Sequence, residues 1–180
     1  MQKADLIFGV GGGRAIDTGK VVADKAEKAY FAFPTVASNC APSTAIAVIY
    51  KEDRSLAGYY YLPQPPIHTF INMNIIVDSP FHLFWAGIGD AMSKECESEL
   101  ASREAELFHT VLVGRVLGQV CTAPLLDFGE KALTDFKKKA ISHELQEVVL
   151  DIIISTGLVS NCTTGDQAIY YYNSSVAHLL

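Results

Sequence analysis

Asp5-Leu6-Ile7-Phe8-Gly9-Val10-Gly11-Gly12-Gly13-Arg14-Ala15-Ile16-Asp17-Thr18 decides the fold, because it joins a short apolar run to an amphipathic helix through a turn almost free of side chains. Asp5 to Val10 reads as a buried strand. Ala15, Ile16, Gly19, Val22 and Ala23 recur at the spacing that lays one apolar stripe along the helix that follows. Glycine admits positive φ and lets a pyrophosphate approach the main chain, while the free N–H groups and positive dipole end of a helix favour an anion. Two readings fit this turn: a phosphate cradle, or a tight strand-to-helix connection that uses glycine for geometry alone. Its spacing departs from the dinucleotide fingerprint at Arg14, which stands where a third glycine would fall after Gly9 and Gly11.

Outward from this turn, residues 1–78 alternate strand-like and helix-like stretches, and after Asp78-Ser79-Pro80 the pattern is helical to the end. The expected class is therefore α/β followed by all-α. The boundary divides the chain into an α/β part over 1–78 and a helical part over 79–180. Tyr30-Phe31-Ala32-Phe33 reads as a second strand ended by Pro34, and the small polar residues 35–42 form a loop at what would be the ligand-binding edge of an open sheet. Ala45 to Tyr50 and Tyr59 to Leu62 flank Lys51-Glu52-Asp53-Arg54-Ser55 as a hairpin, and His68 to Asn72 could return the chain to the sheet. Ser79 before Pro80 predicts a capped helix start. Ser142 with Leu145, Val148, Val149, Ile152 and Ile153 predicts a capped helix to about Val159 whose apolar face holds no titratable residue.

The chain has 180 residues, 49% of them hydrophobic, and a formal charge of −6. That composition supports a packed core and disfavours nucleic acid as a partner. The cluster Lys137-Lys138-Lys139 reads as a solvated helix end. Cys40, Cys96, Cys121 and Cys162 are widely separated, with no CxxC pair, which fits reduced thiols. No charged and apolar leader opens the sequence and no apolar run is expected to reach the length of a membrane span, so a cytoplasmic protein without a membrane partner is expected.

Two side chains stand out chemically. Asp90 sits in the apolar stretch Leu83 to Met92. A buried carboxylate needs a cation, a metal or backbone N–H groups, and a helix cap after Gly89 accounts for it equally well. His178 lies among small and apolar residues, where a core histidine and a metal ligand both fit.

Taken together, Gly11-Gly12-Gly13-Arg14-Ala15-Ile16-Asp17-Thr18, Phe33-Pro34-Thr35-Val36-Ala37-Ser38, Ala45 to Tyr50, Ala86-Gly87-Ile88-Gly89-Asp90-Ala91 and Ala177-His178 resemble, in order and separation, the iron-containing alcohol dehydrogenases, particularly their glycerol dehydrogenase branch. The resemblance implies a partial Rossmann-like nucleotide-binding α/β domain over 1–78, a partial helical metal-binding domain over 79–180 and a metal-dependent alcohol oxidation in the cleft between them. By position, Gly11, Gly12, Gly13 and Asp17 would contact the pyrophosphate of NAD or NADP, with Thr35 and Ser38 on the nicotinamide side. Asp90 and His178 would be two of three ligands to Zn²⁺ or Fe²⁺, acting through the metal on a small alcohol, polyol or hydroxy acid. Cys40 would face the substrate. Where the glycerol branch carries an aspartate in that loop, Asn39-Cys40-Ala41-Pro42 looks instead like the branch that reduces 2-oxo acids to hydroxycarboxylates.

The resemblance also implies that the chain is truncated at both ends, lacking the first half of the nucleotide-binding domain and a third ligand beyond Leu180. An exposed sheet edge would then favour a homo-oligomer. A non-catalytic remnant is the alternative to an active enzyme. Arg54, where the family often has glycine, is expected to strain its turn if φ is positive there.

Overall fold

The computed structural model describes residues 4–103 and 109–163. The first strand forms where expected but is not the buried strand expected, since only Gly9 of it is buried: β1 (Leu6–Gly11) runs into α1 (Gly13–Lys25), which returns the chain to β2 (Ala29–Pro34), parallel to β1 with Gly9 opposite Ala32. A short strand, β3 (His68–Thr69), adds to the far side of β2. Period-two alternation divides β2, so that Tyr30 and Ala32 pack against Ile16 and Ala23 of α1. The opposite face gathers Phe8, Phe31, Phe33 and Phe70, with the rings of Phe33 and Phe70 stacked at 4.6 Å. Phe8 and Phe70 remain exposed, and β1 is an edge of this sheet among the described residues.

The predicted hairpin is present as two antiparallel strands, Ile46–Tyr50 and Leu56–Tyr61, joined through residues 51–55. Arg54 at its tip has φ 69°, the strained geometry expected from sequence.

Helices follow. α2 (Met73–Val77) is capped by Asn72, whose side chain accepts from Asn74 N at 3.0 Å. α3 (Phe81–Ser102) starts without the predicted serine cap. The Ser79 hydroxyl instead donates back to Ile76 O at 2.7 Å, closing α2, and Pro80 occupies the capping position. The Ser142 cap is borne out, since its hydroxyl accepts from Leu145 N at 3.2 Å to start α5 (His143–Leu150) beside α4 (His109–Lys137). Phe84 of α3 stacks on Phe136 of α4 at 4.4 Å, and Val148, Val149, Ile152 and Ile153 complete the largest core.

Two expectations are corrected here. The stripe from Ser142 does not continue as one α-helix: a π-helical turn, Asp151–Ser155, precedes α6 (Thr156–Thr163). Asp151, the first residue of that turn, is 2% exposed, so the helix read as having no titratable group on its buried face buries a carboxylate. Secondly, His109–Lys137 and His143–Thr163 are, by length and composition, long and apolar enough to cross a membrane. More than half of the apolar window in the second run is buried in this fold, as in a core helix, whereas α4 leaves Leu112, Val116, Val120 and Leu126 exposed.

Candidate functional site

A cleft of about 520 Å³ opens between the start of α1, the loop after β2 and the middle of α3. Its floor begins with the glycine turn. Gly11 has φ +146°, a conformation that a residue with a Cβ rarely adopts, and its carbonyl accepts from Thr35 N at 3.0 Å, tying the ends of β1 and β2 together. Gly12 then caps α1 without a side-chain bond, and Ile16 N donates to Gly12 O at 3.1 Å to close the first turn. With no acidic residue in that turn, the first N–H groups and the helix dipole present an uncompensated positive end. The Arg14 guanidinium sits 5.1 Å from the centre of the Tyr50 ring, beside the same opening.

The loop after β2 forms the next wall, and it is braced from both sides. Asn39 Oδ1 accepts from Ala41 N at 3.0 Å and begins the single 3₁₀ turn Ala41–Ser43 behind Cys40. From α1, the buried Lys20 ammonium donates to Ala41 O at 2.9 Å, to Thr44 O at 3.2 Å and to Ile46 O. From α6, Asn161 accepts from Ala45 N at 2.9 Å and donates to Ser43 O at 3.0 Å. Cys40 Sγ lies 3.7 Å from Ser160 Oγ.

Gly87 allows α3 to reach this loop. A Cβ there would lie 2.9 Å from Ser38 Cα and collide with Ala37 O, so the close approach requires glycine. Three residues further on, Asp90 enters the cleft wall, and one turn later Lys94 does the same. Asp90 is therefore a mid-helix residue and not the helix cap that its sequence also allowed. Burial raises its pKa above the usual carboxylate range, opposed by Lys94 and reinforced by Glu97. Burial also works against the charged form of Lys94, but Cys40, Glu97 and Asp90 around it hold the ammonium above its ordinary range.

Of the residues expected from sequence, Gly13, Asp17, Cys40 and Asp90 line one cleft, while Gly11 and Gly12 lie just before Gly13 in the turn and are not in the lining. Thr35 and Ser38 are in the supporting loop, behind the cleft lining. Asp17 is committed to the fold: its Oδ1 makes an electrostatic contact with Lys20 Nζ at 2.8 Å, and its Oδ2 accepts from Val48 N at 3.1 Å. His178 lies outside the described residues, and among the described residues no three ligating side chains converge. Sequence reasoning missed Lys94, Asn39 and Ser160 in the lining. Lys94 was within reach of it, because residues four apart on a helix share a face.

The comparisons with known proteins follow the same residues. The family model described as iron-containing alcohol dehydrogenase matches residues 1–66. A glycerol dehydrogenase of Thermotoga maritima is 30% identical over 161 residues, covering 87% of this chain and 44% of that protein. The hydroxycarboxylate dehydrogenase A of Escherichia coli is 30% identical over 155 residues, 86% of this chain and 43% of that one. The crystal structure of glycerol dehydrogenase from Schizosaccharomyces pombe superposes with a TM-score of 0.80 at 27% identity, covering 87% of this chain and 41% of its own. The chain thus spans less than half the length of each of these relatives.

Proposed function

We propose that the chain belongs to the iron-containing alcohol dehydrogenases, the family whose model matches residues 1–66, and that its cleft binds a nicotinamide dinucleotide against a small alcohol, polyol or hydroxy acid. The observation that carries this reading is the single cleft that begins at the start of α1 and ends at Asp90. The pyrophosphate of NAD or NADP lies on the first-turn N–H groups of α1, with Arg14 beside it. Its nicotinamide points along the loop of Thr35 and Ser38 toward Cys40, and the substrate fills the remaining space up to Asp90. In the oxidative direction the substrate carbon gives a hydride to the nicotinamide ring and its hydroxyl gives up a proton, yielding a carbonyl and the reduced cofactor.

A divalent metal, the Fe²⁺ of the family's name or Zn²⁺ in its place, is proposed to bind at Asp90 and His178. A metal there would polarise the substrate oxygen. Among the described residues the donor set does not by itself fit a resident ion, since Asp90 is the one expected ligand in the cleft and catalytic zinc sites use three protein ligands. No step is therefore derived through the metal. The role of the described residues is to hold the two reactants: the glycine turn the cofactor, the braced loop the nicotinamide side, and the buried face of α3 the reacting oxygen.

The substrate can be a neutral polyol or a hydroxy acid, matching the names of the two relatives above. The test is formation of reduced nicotinamide by the purified chain with glycerol, 1,2-propanediol and 2-hydroxybutyrate, with bound metal measured in parallel for Asp90→Ala. Turnover with at least one substrate, lost together with metal in Asp90→Ala, is expected. A folded chain that binds neither cofactor nor metal would be a non-catalytic remnant and would overturn the proposal.

A further inference from the structure

We propose that the groove between α1 and the tip of the hairpin is a phosphate site, in which Arg14, Lys51 and Arg54 take a phosphomonoester dianion. The groove, of about 350 Å³, is lined by these three cations with Thr18, Tyr50 and Glu52, and it meets the cleft at Arg14 and Tyr50. Its ligand is additional to the pyrophosphate placed on the first turn of α1, so the site stands whether or not a dinucleotide binds there.

Three cations against one carboxylate make a local excess of positive charge on a chain whose formal charge is −6. Among the described residues none of the three is in an ion pair, whereas Lys20, Lys94, Lys131 and Lys139 each face a carboxylate. The other acid of the tip, Asp53, is outside the lining and accepts from Ser55 N at 2.9 Å and Ser55 Oγ at 2.6 Å. Arg14 is held 5.1 Å from the centre of the Tyr50 ring, which fixes the cation at the groove but supplies no oxygen to its N–H donors. Thr18 adds a hydroxyl one turn further along the same face of α1.

Arg54 has φ 69°, a conformation that suits glycine, yet a long cation stands there and lines the groove. Arg54 N donates to Lys51 O at 3.0 Å and Lys51 N to Ser55 O at 2.9 Å, so the turn that imposes this φ also brings both side chains to one end of the groove. A strained residue whose charge is left for solvent is the pattern of a ligand site. A phosphomonoester brings close to two negative charges and three acceptor oxygens, against one charge and two oxygens for a carboxylate. All three cations are exposed, so binding is in the millimolar range and weakens with ionic strength. The 2′-phosphate of NADP and the phosphate of a separate small metabolite offer this same chemistry.

The test is titration of the isotope-labelled full chain with inorganic phosphate at pH 7.5, with acetate at matched ionic strength as the monoanionic control. Saturable shifts at Thr18 and at Lys51 to Ser55 are expected with phosphate and not with acetate. Phosphate should bind about threefold or more weakly to Arg54→Gly and to Lys51→Gln, and more weakly still to the double variant. Glycine suits the backbone at 54, so the loss in Arg54→Gly comes without unfolding. Shifts confined to the glycine turn, or a double variant that binds phosphate as wild type does, overturn the proposal. NADPH that displaces phosphate and binds more tightly than NADH, by a margin lost in Arg54→Gly, sustains the site and assigns it to the 2′-phosphate. Phosphate that stays bound beside either nucleotide sustains it as the site of a separate phosphorylated ligand. A chain that holds phosphate here but neither nucleotide refutes the dinucleotide reading and leaves this one standing.

Discussion

Asn161 and Ser43, 118 residues apart in the chain, are joined by a hydrogen bond of 3.0 Å from the Asn161 side-chain amide to the Ser43 carbonyl. The same side chain accepts from Ala45 N at 2.9 Å, so one residue of α6 holds both backbone groups that flank Thr44. The loop carrying Cys40 is thereby fixed to the helical part of the molecule.

Replacing Asn161 with leucine would leave a buried N–H and a carbonyl without their partner. Each such loss costs about 1–3 kcal/mol, so Asn161→Leu should lower stability by about 2–4 kcal/mol in denaturant unfolding. A loss below about half a kcal/mol would show that water replaces the amide.

Asp151 gives a pH prediction. Its carboxylate is buried in the π-helical turn against Cys121 and Ser155, and burial raises its pKa to about 6, well above the usual carboxylate range. The folded state therefore holds this proton more tightly than the unfolded state. The stabilising contribution is present below about pH 4 and is lost as the pH rises through about 6. Asp151→Asn should raise stability near pH 7.5 by about 2–3 kcal/mol, with little effect near pH 4. A gain that is the same at both pH values would rule out the ionisation as its cause.

Arg54 occupies the left-handed region at φ 69° at the exposed tip of the hairpin. A side chain there costs about 1 kcal/mol that glycine avoids, partly offset by glycine's larger unfolded-state entropy. Arg54→Gly should therefore raise the midpoint of thermal unfolding slightly, whereas Arg54→Val should lower it. The reverse order would contradict the backbone geometry.

Much of this architecture was legible in the sequence because it is written locally. Strand periodicity in residues 5–10, the glycine turn, the hairpin around Arg54 and the Ser142 cap each depend on neighbours within a few residues. The failures are those of phase and partnership. Ser79 looked like a cap, but its hydroxyl closes the preceding turn. The widened turn that begins at Asp151, and the burial of that carboxylate, left no mark in the apolar spacing. Asp17 lines the cleft, and what its position in the sequence did not show is the pairing of its carboxylate with Lys20 and Val48 N, a partnership that only the packed hairpin creates. The four-residue spacing of Lys94 from Asp90 places the two on one helix face, but Cys40, which faces them across the cleft, is brought there only by the packing of α3 against the loop after β2.

The central claim is that a nicotinamide dinucleotide lies along the glycine turn and the loop of Cys40. Its most direct test is titration of the isotope-labelled chain with NADH, following backbone amide resonances. The account predicts saturable shifts concentrated at Gly12 to Ala15 and at Asn39 and Cys40, with the distal turns of α4 unmoved. A folded chain whose spectrum is unchanged by NADH and NADPH, or whose shifts fall away from these residues, would contradict it.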